Sequence, residues 1–403
     1  MRRFMAEHPT AEATDWGLLE PLAVTAAVTS DDAVLEALVE VERALVLARG
    51  RIIGKDLSEV AQALQGAQLD RAELISGART GGVPVIPLVI QLRALAESAV
   101  PGSGAHVHQG ATSQDILDTA LMLVAKRALG VARERLRTAG ESLVALAIGE
   151  RYTISIARTL GQHAAQSTVG VSVAGWLDGI AAAMDALAEA GFPVQLGGAV
   201  GTGEDFDREA DVPHTADRVR SALAEQLGLD DPERSWHTER SHVLRVASAA
   251  ALVTTALGRI GRDVAFLART EIGEASLGAT GGSSAMPHKR NPVDAVLLTA
   301  NGLRVPGLVA TVHSAALAQD ARPAGEWHAE WSAFRGLLRL AVESSDAAAS
   351  MFARLSFDRS AVEANRLLSP DLERDAAATR VASDRIIESA IGRFRAVERK
   401  EQR

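Results

Sequence analysis

A twelve-residue segment, GGSSAMPHKRNP at residues 281–292, concentrates side chains that could do chemistry. Its glycines let the backbone move, and the hydroxyls of Ser283 and Ser284 can give or take a proton. Lys289 and Asn291 add a cation and an amide, a combination that binds a carboxylate. These residue types predict a lid that closes on an anionic substrate. A solvent-exposed turn with incidental charge is the alternative interpretation.

A second segment, HVHQGATSQDILDTA at residues 106–120, places polar groups where a helix is expected to begin. Thr112, Ser113 and Gln114 then lie at a helix N-terminus, where backbone N–H groups without acceptors form an anion site. Ser113 could instead serve only as the helix cap, and His108 could be a packed surface histidine. Both segments therefore predict the binding of an anion.

The elements that hold these segments are predicted to be helices. Hydrophobic residues make up 47% of the chain but aromatic residues only 3%, a balance that favours helices packed through small aliphatic side chains. Proline is absent between residues 101 and 193, 232 and 287, and 323 and 370, which permits three long helical spans.

Apolar spacing near 3.6 residues predicts two helices in particular. One begins at Ser113, with Asp115 as an acid in its first turn, and its stripe includes Ile116, Ala120 and Leu123. The other opens at Ser30 and closes at Gly50, and its stripe consists of Leu38, Val41, Leu45 and Ala48.

Composition also suggests domain boundaries. Glycine and proline cluster in residues 80–103, and a charged segment containing Pro370 follows a helix-like stretch. We expect an all-α protein with an N-terminal helical domain, a central bundle of long helices and a shortened helical C-terminal domain, at residues 1–103, 104–350 and 351–403.

Several classes of function are excluded or disfavoured by composition. A formal net charge of −9 argues against nucleic acid as the partner, and the absence of cysteine excludes disulfides and thiolate sites. The histidines show no H-E-x-x-H pairing, so a metal site of that kind is not expected. No apolar leader and no run of 18 uncharged apolar residues is present, which predicts a cytoplasmic protein without a membrane partner.

Residues 282–291, GSSAMPHKRN, resemble the G-S-S-x-M-P-x-K-x-N signature of the fumarase/aspartase superfamily. The resemblance implies that Ser283 is the catalytic base, with Ser284 as the less favoured choice. It also implies that Lys289 and Asn291 bind a substrate carboxylate. The family fold is a three-domain helical one, assembled as a homotetramer whose active sites are shared among three subunits.

Residues 106–120 resemble the family's first common region, in which an H-x-G-x-T-S segment leads into a bundle helix. By that resemblance His108, Thr112, Ser113 and Gln114 bind the substrate.

Residues 157–164, ARTLGQHA, resemble the second common region, which usually reads R-T-H-x-Q. The resemblance places Thr159, Leu160 and Gln162 at the substrate. Leu160 stands where many members carry the histidine that protonates the leaving group. Val296 stands where they carry the glutamate that pairs with this histidine, so both halves of a His–Glu relay are missing.

The missing relay has a chemical meaning. Expelling hydroxide or an amine requires a general acid because these leaving groups are strong bases. A carboxylate, whose conjugate acid has a pKa of about 4, departs unaided as a stable anion near neutral pH. His163 does not replace the donor, because three positions further along it would point to a different side of any helix. The sequence therefore favours the opening and closure of a lactone.

Further segments resemble the 3-carboxy-cis,cis-muconate cycloisomerase branch of the family. They are GVPVIPLV at 82–89, VQLGGAVGT at 194–202, SWHTER at 235–240 and AGEWHAEW at 324–331. Arg322 corresponds to a family arginine that binds substrate, with a surface arginine as the alternative. The chain departs from the branch at Val83, where asparagine is usual, and at Ser241, where aspartate is usual.

The resemblance implies reversible, cofactor-independent lactonisation of 3-carboxy-cis,cis-muconate to 4-carboxymuconolactone, a step of protocatechuate catabolism through the β-ketoadipate pathway. Two alternatives stay open. One is a lyase that expels another weakly basic anion, such as nitrite, from a substituted succinate to give fumarate. The other is a non-catalytic structural homologue, of the kind represented by lens crystallins.

Overall fold

The computed structural model describes residues 18–208, 213–278, 282, 286 and 289–401. Its α-helices are α1 (Asp31–Ile53), α2 (Ser58–Ala63), α3 (Arg71–Gly81), α4 (Val85–Ala99), α5 (Ser113–Gly149), α6 (Val169–Ala188), α7 (Glu204–Asp207), α8 (Thr215–Leu227), α9 (Ser241–Leu267), α10 (Val293–Ala315), α11 (Glu326–Phe352), α12 (Arg359–Leu367) and α13 (Ala376–Glu401). Short 3-10 helices occupy Ala23–Thr29, Gly104–His106 and Pro370–Leu372. The predominance of helix confirms the all-α prediction.

Two small antiparallel pairs interrupt the helices. Strand β1 (Ile154–Thr159) pairs with β2 (Gln162–Thr168), and β3 (Ala275–Ser276) pairs with β4 (Ser356–Phe357). The proline-free interval from 101 to 193 is therefore not continuous helix, because the β1–β2 hairpin separates α5 from α6.

The chain folds into two compact units, each built from three separate stretches. The first contains Met1–Lys126, Gly191–His242 and Ala316–Trp327, and the second contains Arg127–Ala190, Val243–Ala315 and His328–Arg403. The three continuous domains expected from composition stay a prediction, and α4 occupies most of the segment in which the first boundary was placed.

Helix α1 packs against α8 in the first unit. Ser30 caps it by accepting a hydrogen bond from the Ala33 N–H at 3.1 Å, and the predicted apolar stripe is buried. The helix runs one turn beyond Gly50 and ends at Gly54, which has a φ of 70°. Gly50 has a packing role instead, since a Cβ there would lie 2.7 Å from the Lys55 carbonyl oxygen.

Long helices of the second unit approach one another through glycine. A Cβ added to Gly258 on α9 would lie 3.0 Å from the Cα of Gly302 on α10. Helix α10 continues through Pro306, so proline does not end this helix as the sequence rule suggests. The absence of side chains at this contact lets two helices of mainly aliphatic composition pack closely.

Helices α6, α9 and α10 are long and apolar enough to cross a membrane by length and composition alone. In α6 and α9, however, 50% and 56% of the apolar window is buried inside the structure, compared with 28% in α10. The apolar residues of α6 and α9 thus serve largely in packing, whereas α10 keeps an exposed apolar surface that includes Val296 and Leu303.

Candidate active site

Helix α5 begins with a tight polar turn at the predicted anion site. The Asp115 N–H donates to the Thr112 carbonyl at 3.0 Å, and the Asp115 carboxylate accepts from the Thr112 N–H at 3.0 Å. Thr112 is therefore the cap and Ser113 the first helical residue, so the interpretation of Ser113 as the cap is wrong. Among the described residues the N–H groups of Ser113 and Gln114 have no acceptor, as an anion site at a helix N-terminus requires.

The Asp115 carboxylate is the centre of a buried hydrogen-bond network in the first unit. Its side chain has no solvent exposure. At 2.8–3.1 Å its oxygens meet the N–H groups of Thr112, Gly197 and Gly198, the Gln195 amide and His237 Nε2. These hydrogen bonds offset the cost of removing the carboxylate from water. They also fix the N-terminus of α5 against the loop at 195–198.

Asp118, one turn further along α5, forms a buried ion pair with Arg240. The guanidinium donates to both carboxylate oxygens, at 2.7 and 3.2 Å, and lies 4.9 Å from the ring centre of Trp236. The indole N–H of Trp327 also donates to Asp118, at 2.9 Å. A buried pair of this kind is maintained only when its remaining hydrogen-bonding groups are satisfied, and these contacts meet that condition.

Gln114 orients Arg322, a predicted substrate-binding residue. The buried Gln114 amide donates to Asp118 at 3.2 Å and to the His237 carbonyl at 2.8 Å, which leaves its oxygen to accept from Arg322 Nε at 3.3 Å. A second Arg322 nitrogen donates to the Ala199 carbonyl at 3.1 Å. Arg322 is exposed whereas Gln114 is buried, and the substrate contacts expected of both residues stay predictions.

His108 precedes α5 in the same unit and is mostly buried. Its Nδ1 lies 2.6 Å from the Glu42 carboxylate on α1. His108 has a φ of 62°, in the left-handed region. A packed histidine and a substrate-binding histidine are both compatible with this contact, so the role of His108 stays a prediction.

Glu97 holds the turn through which the chain enters this region. Its carboxylate accepts from the N–H groups of Gly102 at 2.8 Å and Gly104 at 3.0 Å. These two backbone hydrogen bonds lower the pKa of the Glu97 carboxyl below its ordinary value of 4.5.

Thr159, Leu160 and Gln162 lie at the tip of the β1–β2 hairpin in the second unit. Leu160 and Gly161 form the two-residue turn, with φ of 51° and 80°. Positive φ at both turn positions gives the twist that closes such a hairpin. The Leu160 side chain is fully exposed at the tip.

The residues beside the tip are strand residues, so the helical geometry considered for His163 is wrong. His163 pairs with Arg158 across the hairpin, and its Nδ1 lies 2.8 Å from the Ser369 hydroxyl. Arg158 forms an ion pair of 2.6 Å with Glu274. Both side chains are therefore tied into the second unit, away from the turn itself.

The predicted lid is described only in part. Ser283 and Ser284 lie outside the described residues, and their roles remain predictions. Lys289 is exposed and Asn291 is partly buried, just before the first turn of α10. Val296, which by the resemblance takes the place of the relay glutamate, follows on that turn with its side chain half exposed.

Sequence reasoning missed several residues that hold the start of α5 and His108 in place, namely Glu42, Asp118, His237 and Arg240. No local pattern marks Glu42 or Asp118, because other charged residues such as Glu40, Arg43 and Asp115 lie close to them in sequence. Among the described residues no group of three or more His, Asp or Glu side chains could hold a metal ion.

Residues 27–307 match the sequence model of a lyase family, a span that includes the start of α5, the hairpin and the 282–291 segment. The chain belongs to the fumarase/aspartase superfamily. This family membership makes it an enzyme of the lyase class and confirms the superfamily recognised from the GSSAMPHKRN motif.

This lyase resembles relatives with two different activities. It is 39% identical over 375 residues to nitrosuccinate lyase of Streptomyces davaonensis, covering 90% of this chain and 79% of the relative. It is 38% identical over 311 residues to 3-carboxy-cis,cis-muconate cycloisomerase of Pseudomonas putida, covering 75% of this chain and 72% of the relative.

A solved structure shares the fold of this lyase. The crystal structure of 3-carboxy-cis,cis-muconate lactonizing enzyme from Pseudomonas putida matches with a TM-score of 0.78 at 30% identity, over 93% of this chain and 87% of that one. The nitrosuccinate lyase and the cycloisomerase are similarly close to this chain in sequence identity. Similarity therefore establishes the superfamily but does not identify the substrate.

Proposed function

We propose that the chain catalyses reversible β-elimination of a weakly basic anion from a small polycarboxylate, with 4-carboxymuconolactone and 3-carboxy-cis,cis-muconate as its substrate pair. In lactonisation one substrate carboxylate adds to the carbon that bears the 3-carboxylate. The neighbouring carbon becomes a carbanion, stabilised as an aci-carboxylate, and takes up a proton. In the reverse direction that proton is removed and the ring carboxylate departs.

The observation that carries this proposal is the pair of hydrocarbons at the relay positions. Leu160 at the hairpin tip and Val296 on α10 cannot donate or relay a proton. A leaving group that needs protonation would react slowly without a donor there. A carboxylate leaves as the free anion, so the pair supports lactone chemistry and disfavours the expulsion of hydroxide or an amine.

The roles of the remaining residues follow from their chemistry. Ser283 exchanges the carbon-bound proton, with Ser284 as the second choice for this role. Lys289, Asn291 and the N-terminus of α5 at Thr112 and Ser113 stabilise the negative charge of the aci-carboxylate. Arg322, oriented by Gln114, binds a substrate carboxylate in a bidentate manner.

His108, Thr159 and Gln162 complete the set of polar substrate contacts. We propose that a homotetramer brings the site segments together from three subunits. The exposed apolar surface of α10 supports assembly with other copies of the chain, because exposed apolar surface of this kind is typical of subunit interfaces. A cytoplasmic location and the absence of nucleic-acid and membrane partners belong to the same proposal.

The direct experiment measures ultraviolet loss of the conjugated diene when the purified enzyme meets 3-carboxy-cis,cis-muconate. We expect turnover that falls about 1,000-fold in Ser283→Ala, since general base catalysis contributes on this scale. Ser284→Ala is the matched control, with a smaller expected loss. Absence of diene loss with folded enzyme would contradict the lactone proposal.

Nitrosuccinate is a second candidate substrate, favoured by the long match to the Streptomyces davaonensis relative. Nitrite is also a weakly basic anion, so the same hydrocarbon positions are compatible with its departure. Release of nitrite together with fumarate from nitrosuccinate, without diene loss in the first assay, would select this candidate. Turnover of neither compound would contradict both candidates.

A further inference from the structure

A buried carboxylate on α1 contacts the His108 ring in the first unit. Glu42 Oε1 lies 2.6 Å from His108 Nδ1, and the Glu42 side chain has no solvent exposure. Its second oxygen, Oε2, is buried without a hydrogen-bond partner in the described part of the chain. Burying a carboxylate with one oxygen unsatisfied is unfavourable. A buried Glu42 at this position therefore calls for an explanation, and its contact with His108 points to one.

The loop that carries His108 is attached to α1 at a second point. Arg49, seven residues after Glu42 and so on the same face of α1, donates to the His106 carbonyl at 3.2 Å and to the Gln109 amide oxygen at 2.5 Å. His108 itself has a φ of 62°, in the left-handed region that non-glycine residues adopt uncommonly. The contacts of Glu42 and Arg49 thus attach the loop to α1 on both sides of His108, which indicates that the position of the imidazole is specified.

We propose that Glu42 is a positioning residue that fixes the tautomer and orientation of His108, so that Nε2 faces the substrate. The inference rests on the proposed function, in which His108 contacts substrate. An ionised carboxylate can only accept, so Nδ1 carries the hydrogen in this pair. Nε2 is then the ring nitrogen left for a ligand, and when it carries a proton it donates to a substrate carboxylate.

A second histidine–carboxylate pair in the same unit shows the opposite arrangement. His237 Nε2 lies 2.8 Å from Asp115, and His237 Nδ1 is buried without a partner in the described residues. The His237 side chain is only 5% exposed, compared with 15% for His108. His237 is therefore part of the buried network around Asp115. In the Glu42–His108 pair the ring is more exposed, and Nε2 is the nitrogen that does not contact the carboxylate.

The test compares two substitutions of Glu42. Glu42→Leu removes the acceptor, and we expect kcat/KM to fall about 10- to 100-fold, the usual effect of losing the carboxylate behind a functional histidine. Glu42→Gln keeps an amide oxygen that accepts from Nδ1–H, so we expect a loss of about tenfold or less. Glu36→Gln, an exposed glutamate on the same helix, is the matched control and should leave activity unchanged.

A double variant separates positioning from a general effect on folding. In a His108→Gln background Glu42→Leu should cause little further loss of kcat/KM, because residues that act as a unit are not additive. Additive losses, or a Glu42→Leu variant as active as the wild type, would overturn the proposal. If Glu42→Leu does not fold, the tautomer of His108 in the wild-type protein tests the proposal instead.

A spectroscopic measurement on the wild type needs no turnover. Nitrogen-15 spectra of histidine-labelled protein, with the His108 signal assigned by its loss in His108→Gln, should show Nδ1–H for the neutral ring. A mixture of tautomers or Nε2–H would contradict the role of Glu42. If the enzyme turns over none of the proposed substrates while this signal is Nδ1–H, the proposed function fails and the positioning of His108 stands.

Discussion

The start of α5 and the tip of the β1–β2 hairpin carry parts of the same predicted site but are built in opposite ways. At the start of α5, Asp115 and Asp118 have almost no solvent exposure and each carboxylate oxygen is hydrogen-bonded. At the hairpin tip Leu160 is fully exposed, and Gln162 is exposed as well. The first region is therefore fixed by buried hydrogen bonds within its own unit. The side chains of the second region are exposed at the turn.

This difference suggests how one fold serves several leaving groups. A residue at an exposed two-residue turn can change without disturbing packing, since positive φ is the main local requirement. The residues proposed to bind carboxylates depend on a buried network and are costly to change. Under the proposed function, chemistry at the leaving group can therefore vary at Leu160 while carboxylate binding is retained.

The largest expected effect is on stability at the start of α5. Asp118→Ala leaves the Arg240 guanidinium buried without its carboxylate, so we expect the free energy of unfolding to fall by about 3–5 kcal/mol. Urea unfolding followed by circular dichroism measures the change. Asp205→Asn, at an exposed ion pair with Arg208, is the matched control, and we expect a change below about 1 kcal/mol. An equal fall in the free energy of unfolding in the two variants would contradict the expected difference between the buried and the exposed ion pair.

The next effect concerns recognition. Arg322→Lys keeps the charge but loses the planar group that contacts both Gln114 and Ala199. We expect kcat/KM to fall about 100-fold, comparable to the loss of one well-placed donor to a developing anion. Steady-state kinetics with the active substrate measure this loss, and Arg208→Lys serves as an exposed control. An unchanged kcat/KM would show that Arg322 does not bind the substrate carboxylate.

A smaller effect is a pH dependence at the turn before α5. The N–H groups of Gly102 and Gly104 lower the pKa of Glu97, so its contribution to stability is present above 4.5 and is lost as pH falls through the lowered value. Glu97→Gln should therefore have a lower urea midpoint than the wild type at pH 7. The difference should shrink as the pH is lowered below about 4. A constant difference across this range would argue against an ionised Glu97.

The smallest effect is expected at the hairpin tip. Because Leu160 is fully exposed, Leu160→Ala should change the free energy of unfolding by less than about 0.5 kcal/mol. Leu117→Ala on α5, where the side chain is buried, should cost about 2–5 kcal/mol. Urea unfolding of both variants compares the two regions directly, and a large cost at Leu160 would show that the tip is packed in the folded enzyme.

The helical fold and most of α1 and α5 could be predicted because apolar spacing is a local signal. The end of α1 was misplaced at Gly50, since the contact of Gly50 with Lys55 depends on how the chain returns after the helix. The β1–β2 hairpin was missed for a similar reason. Its Leu160–Gly161 turn requires left-handed conformations, and the first of these falls on a leucine, which rarely adopts one.

Candidate site residues could be named from motifs, but their partners could not. Glu42 lies 66 positions before His108, and Arg240 lies 122 positions after Asp118, so no local pattern connects them. The burial of Gln114 and its hydrogen bond to Arg322 could not be predicted either, because burial is a property of the folded chain.

A panel of leaving groups tests the central claim most directly. The purified enzyme is assayed with 4-carboxymuconolactone, nitrosuccinate, malate and aspartate, and kcat/KM is measured for each elimination. With hydrocarbons at Leu160 and Val296, we predict that a compound with a weakly basic leaving group exceeds malate and aspartate by about 1,000-fold or more. Turnover of malate or aspartate at a comparable rate would contradict the account, because a proton donor would then have to serve the leaving group.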